Sequence, residues 1–222
     1  MSQIRTKRAA LACAICAMAV FDNPGKCCAD APEDPRIAKT KEALRVALGG
    51  GGAFAKDDDA QYMKKVKLRD QKLTGDERNF SLGFQRGYEA VANAKASDFA
   101  HPMILCAKVF EREGHPEQIE LFMFFLASEE NTKGVFIQDA VGKILATGKV
   151  EVGFGSEDLL QCATVRLTPG GNPKLPEILL DRKALTQDLS VGLIEKDGHR
   201  TKPVQAFIEQ DLRKGPKGKA KE

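Results

Sequence analysis

The residues of this 222-residue chain with the types and spacing to do chemistry are three histidines, six cysteines and a few glycine-rich stretches. His101, His115 and His199 stand far apart. None lies at zinc-motif spacing from another histidine or from a cysteine, so a metal site would have to be assembled across the fold. His101-Pro102 and His115-Pro116 each precede an apolar run, and His199 follows Asp197-Gly198, which points to cap and turn roles. Cys106 sits between Leu105 and Ala107, apolar neighbours that predict burial and an inert thiol. Gly49-Gly50-Gly51-Gly52 suggests a phosphate cradle, but Ala53-Phe54 follows where a P-loop needs Lys-Ser/Thr. Gly142 to Lys149 misses the same motif by one residue and lacks the hydroxyl. Asp57-Asp58-Asp59 lacks the alternating ligands of a calcium loop and reads as the acidic start of a helix. There is no Gly-x-Ser-x-Gly elbow. No metal and no cofactor are expected. With no tryptophan and only Tyr62 and Tyr88 as tyrosines, an aromatic platform for sugars or nucleic acid is disfavoured.

The first thirty residues have the order of a secretory signal peptide. Arg5, Lys7 and Arg8 form a basic start, and Ala9 to Phe21 is uncharged and mostly apolar. Cys27-Cys28-Ala29 and Ala29-Asp30-Ala31 then offer small residues for cleavage. Pro32 disfavours a cut after Ala31, so residues 1–29 are read as the signal and the protein as periplasmic or secreted. The alternative is an uncleaved anchor, because Asp22 to Lys26 is polar. Beyond residue 31 nothing is long and apolar enough to span a bilayer, so no stable membrane insertion is expected after cleavage. Removing the signal leaves Cys106 and Cys162, a disulfide candidate in an oxidising compartment, with two buried free thiols as the alternative. It also leaves thirty basic and thirty acidic residues, so the formal +3 belongs to the signal and no nucleic-acid partner is expected.

The elements that must position these residues follow from periodicity. Asp30 to Pro35 is an acidic leader. Ile37, Lys41, Leu44 and Leu48 fall at helical spacing and stop at the four glycines, so residues 30–55 read as a leader helix and flexible linker. Residues 60–73 form a polar, basic helix. Thr74-Gly75-Asp76-Glu77 has capping-box spacing and opens a third helix. Phe80, Phe84, Tyr88 and Val91 line one stripe of it, with Gly83 and Gly87 alongside. Each glycine costs roughly 1 kcal/mol of helix propensity, so two of them imply that another backbone comes close. Phe80, Gly83, Phe84, Gly87 and Tyr88 are therefore the interface candidate, for a protein partner or a homodimer. Ordinary packing on the chain's own sheet is the alternative.

Ser81-Leu82-Gly83-Phe84-Gln85-Arg86-Gly87-Tyr88 resembles the glycine-spaced helix in the N-terminal dimerisation region of FKBP-type periplasmic isomerases. It is also similar to the aromatic–glycine helix of small periplasmic immunity proteins paired with secreted toxins. The resemblance covers one helix. No isomerase motif follows the first, the cysteine framework of the second is missing, and no residue role is carried over.

From Ala100 the character changes. Lys108, Glu111 and Arg112 share a helical face, which predicts a helix for Met103–Phe110. Ile119–Ala127, the most apolar run beyond the N-terminus, is open between helix and strand. A hairpin turning at Glu113-Gly114-His115-Pro116 is the competing reading. Beyond Asn131, short alternating segments predict strands over 134–138, 143–146, 149–154, 160–167, 177–180, 190–196 and 201–208, with a hairpin at Asp197-Gly198. A helix over 135–145 is the main alternative. The tail 213–222 carries five basic residues and one acid and reads as disordered. The fold class is α+β: a helical N-terminal section packed on a strand-rich, mainly antiparallel body, with residues 56–212 as one domain (helical over 56–99). The expected function is an exported, non-catalytic protein that binds another protein. The alternative is an envelope hydrolase or isomerase whose carboxylates converge only in the fold.

Overall fold

The apolar residues between 103 and 126 decide the architecture by forming a long hairpin. In a computed structural model, which describes residues 34–49, 58–113, 115–128, 131–150, 152–153, 159–168 and 176–213, β1 (Met103–Arg112) pairs antiparallel with β2 (His115–Leu126). The first run is therefore a strand and not the helix its charges suggested. A β-bulge explains the disguise. Ile104 pairs with Phe125 and Cys106 with Phe124, so Leu105 is the extra residue. The bulge puts Leu105 and Cys106 on one face and Ile104, Ala107 and Val109 on the other, which breaks the period of two that marks a strand.

Six further strands complete one sheet: β3 (Thr132–Asp139), β4 (Ile144–Lys149), β5 (Val152–Gly153), β6 (Leu160–Arg166), β7 (Leu189–Glu195) and β8 (Val204–Ile208). Their order is β4-β3-β7-β8-β1-β2-β6-β5, and every neighbouring pair is antiparallel except β1 with β8. β4 and β5 stand at opposite ends of this order, yet Lys149 and Val152 are three residues apart, at most about 10 Å of chain. The sheet must curl until its two edges approach each other. The segment 176–180 adds to the closure: Ile178 donates to the Arg166 carbonyl at 2.8 Å, and its side chain packs on Gly148 of β4. Inside the curl lies an apolar core that includes Val109, Leu121, Met123, Phe125, Val135, Ile137, Val165, Val191, Leu193 and Ile208. The Asp197-Gly198 turn forms as expected, with Gly198 at φ 90° in the left-handed region that favours glycine.

Three helices cover the outer face of β1, β2 and β6. α1 (Pro35–Ala47) starts with proline in its first turn, and the Asp34 carboxylate accepts the Arg36 amide at 2.9 Å. Its Ile37 and Leu44 are buried, and Thr40 Oγ1 accepts the Leu159 amide at 3.0 Å. The leader helix is thus part of the helix-side core. α2 (Asp59–Asp70) is capped by Asp58, which accepts the Gln61 amide at 2.8 Å, as the acidic run predicted. α3 (Gly75–Ala92) begins after Thr74, but the expected capping box is absent: the Thr74 side chain makes no cap bond, and Asp76 accepts the Glu77 amide instead. The arrangement is α+β. No helix among the described residues is long and apolar enough to cross a membrane. The signal segment, Gly50 to Gly52 and residues 214–222 lie outside the described residues.

Candidate functional site

The aromatic–glycine stripe of α3 turns inward. A Cβ on Gly83 would fall inside contact distance of the Leu105 carbonyl oxygen and 3.0 Å from the Cys106 Cβ. One on Gly87 would lie 2.9 Å from Leu105 Cδ1. The two glycines form a notch that receives the bulged Leu105, and Arg86 donates to the Leu105 carbonyl at 2.8 Å. Gly83, Phe84, Gly87 and Tyr88 are buried, and Phe80 and Phe84 pack against Phe124 of β2 with ring centres 6.2 and 5.1 Å away. The close backbone implied by the glycines is the chain's own β1, and the stripe is core rather than exposed interface.

The cysteine pair is corrected by register. Phe124 of β2 is the cross-strand partner of Cys106 on one side and of Cys162 on the other. Two strand spacings, about 10 Å, separate the cysteines. A disulfide needs Cα atoms within about 7 Å. Neither cysteine forms a disulfide among the described residues, and burial pushes the Cys106 thiol far up, so it is inert.

Two polar clusters tie the helices together. At the end of α2, buried Asp70 accepts Arg69 Nε at 2.7 Å, Gln85 Nε2 at 2.9 Å and the Ser81 hydroxyl. Burial works to raise the Asp70 pKa, but these donors outweigh it and hold the carboxyl below its ordinary range. At the start of α2, Asp59 accepts the Tyr88 hydroxyl at 2.5 Å and pairs with Lys41 of α1. Tyr62 donates to the Arg45 carbonyl at 2.8 Å, and burial pushes its pKa up to about 12. Neither tyrosine ionises near neutrality, so both clusters read as joints between helices.

Two features remain open to solvent. The first is a groove of about 250 Å³ between α3 and β8, lined by Gly75, Arg78, Asn79, Leu82, Ala206 and Phe207 among others. Leu82, next to Gly83 but turned outward, is 46% exposed, and Phe207 is half-buried. Arg78 and Arg213 stand at its margins, Arg213 bonded to Asp188 at 2.9 Å.

The second lies where β7 reaches the rim of the curled sheet. Glu195 continues the inward row of Val191 and Leu193 and is fully buried. Its Oε2 meets His101 Nδ1 at 2.9 Å and accepts Asn131 Nδ2 at 2.6 Å, while Oε1 has no hydrogen-bond partner among the described residues. His101 is exposed, and the His199 ring stands 5.5 Å from it, centre to centre. The hydrogen bond that His101 gives to Glu195, helped by the charge of the carboxylate, raises the His101 pKa. Thus two of the three histidines, ninety-eight positions apart, are brought together. Sequence reasoning missed Glu195 and Asn131 because their partners lie 94 and 64 residues away. The one available signal was an acid, Glu195, in register with the apolar inward positions of a strand.

Compared with models of known protein families, with curated proteins and with solved structures, the chain matches none.

Proposed function

We propose that the protein is exported to the periplasm or beyond and acts by binding another protein, through the groove between α3 and β8. The observation that carries this reading is exposed Leu82 beside half-buried Phe207, with Arg78 and Arg213 at the margins. An apolar floor with basic edges suits a segment that offers one apolar anchor and acidic neighbours. The Asp188 bond to Arg213 is a surface pair of little net worth, so that guanidinium stays available to a carboxylate. The compartment rests on the order of basic, apolar and small residues within positions 1–29.

A photo-crosslinker placed at Leu82 in the expressing cell tests the groove, with Val141, 88% exposed at the β3–β4 turn, as the control position. A discrete adduct at 82, absent at 141 and lost on Arg78→Glu, supports the reading. An adduct at twice the chain mass means the occupant is a second copy. Equal labelling at both positions, or an adduct indifferent to Arg78→Glu, overturns it.

The alternative, a hydrolase or isomerase, draws on a single observation. Glu195 holds His101 by Nδ1, as a carboxylate orients a catalytic imidazole. The exposure of both histidines to bulk water gives that imidazole no water-excluded place to work.

A further inference from the structure

The rim cluster has the parts of a metal site built from outside in. A histidine that binds a metal through one nitrogen usually gives the other N–H to a carboxylate, which fixes the tautomer and aims the free nitrogen. His101 meets this condition: Nδ1 faces Glu195 Oε2 at 2.9 Å, so Nε2 is the nitrogen left for a ligand. Glu195 is itself held by Asn131 at 2.6 Å and shielded from water, which keeps the bracing carboxylate in place. One ion bound at about 2.1 Å by one nitrogen of each of two imidazoles sets the ring centres roughly 5–6 Å apart. The His101 and His199 rings are 5.5 Å apart.

The electrostatics agree. Glu195 is a buried carboxylate with one oxygen lacking a partner among the described residues, an arrangement that favours positive charge nearby. Asp197, whose Oδ1 accepts the His199 amide at 2.8 Å, adds negative potential near His101. Lys196 and Arg200 also belong to this hairpin, and Arg200 is turned over the Phe136 ring at 5.6 Å. From these observations we propose that His101 and His199 bind one borderline-soft divalent transition-metal ion, of the zinc or nickel kind, with Glu195 as the positioning residue behind His101. Among the described residues no group of three metal-ligating side chains is placed to hold an ion, so water fills the rest of the shell. The site is open and exchangeable rather than a closed structural one. It is independent of the groove between α3 and β8.

The test uses tag-free full-length protein with accessible thiols alkylated, titrated with Ni²⁺ at pH 7.5 and followed by the histidine ring resonances in NMR. Saturable broadening of the His101 and His199 signals at one ion per chain, with His115 unaffected, is the expected result. His199→Ala, at an exposed turn, should weaken binding at least tenfold and leave the fold intact by circular dichroism. Glu195→Gln should weaken it about 10–100-fold, because the second hydrogen bond is degraded while both ligands remain. His115→Ala should change nothing. Lack of saturation, uniform broadening of all three histidines, or an equal loss in His115→Ala and His199→Ala overturns the site. If Glu195→Gln fails to fold, the His199→Ala and His115→Ala pair still decides it.

Discussion

Replacing Gly83 by alanine should destabilise the protein although alanine is the better helix former. The new methyl would sit 2.8 Å from the Leu105 carbonyl carbon and 3.0 Å from the Cys106 Cβ, inside contact distance of the carbonyl oxygen. Those atoms belong to a bulged strand held by β2, so they cannot swing aside as a side-chain tip does. Relief requires α3 to lift away from β1, which also stretches the Arg86 bond to the Leu105 carbonyl. Overpacking of this kind costs about 1–3 kcal/mol, and the weakened hydrogen bond adds up to about 1 kcal/mol. The gain in helix propensity returns about 1 kcal/mol. The net loss should be about 2 kcal/mol. Gly87→Ala meets the Leu105 methyls at 2.9 and 3.0 Å and Leu44 Cδ1 at an ordinary 3.5 Å, side-chain ends that can rotate, so its loss should be smaller, under about 1 kcal/mol. Urea denaturation at pH 7, followed by circular dichroism, measures both. If Gly83→Ala is neutral or stabilising, or if Gly87→Ala is the worse of the two, the notch does not hold Leu105 as described.

Thiol labelling of denatured, unreduced protein should find both Cys106 and Cys162 reactive, and native protein should protect Cys106; labelling of neither in the denatured protein would mean the register of β1, β2 and β6 is wrong. Asp70→Ala should cost about 2–4 kcal/mol, because buried Ser81 and Gln85 lose their shared acceptor. The Asp70 carboxyl is held below its ordinary range, so this contribution is present above the unfolded value and is lost as pH falls through the folded one. A gap between wild type and Asp70→Ala that persists unchanged into strong acid would contradict the assignment. His101 should titrate above its ordinary value of 6.5 by NMR. Its pairing with Glu195 therefore stabilises the fold fully below that value and is lost as pH rises through the raised one; titration at or below 6.5 would refute the pair. Mass spectrometry of the exported form should show an N-terminus at Asp30 or Pro32, and an intact Met1 there would remove the compartment argument.

What the sequence by itself determined about this protein is the local part. The helix start at Asp58, the left-handed Gly198 turn and the strands within 134–138, 143–146, 160–167, 190–196 and 201–208 follow from side chains that act on their own backbone, over a few residues. The alternation in Thr164–Leu167 was legible for the same reason. By contrast, the strand expected over 177–180 makes only a bridge from Glu177 to Arg166, the one expected over 149–154 is broken at Val150, and the first helix starts inside the expected acidic leader. The tertiary structure decided everything that needs a second segment. The strand at Met103–Arg112 was hidden because one bulged residue shifts its phase, and only pairing with β2 reveals it. The α3 stripe was read correctly as needing a close backbone, but which backbone is a question of packing, answered by Leu105 in the Gly83–Gly87 notch. Cys106 and Cys162 looked like a pair by elimination, and Phe124 between them set their distance. The rim cluster was beyond the sequence because its geometry rests on the curl of the sheet. A chain whose β4 and β5 are three residues apart must bring its outermost strands together. It is in that curled sheet that Glu195, His101, Asn131 and His199, drawn from four separate stretches, meet at one rim.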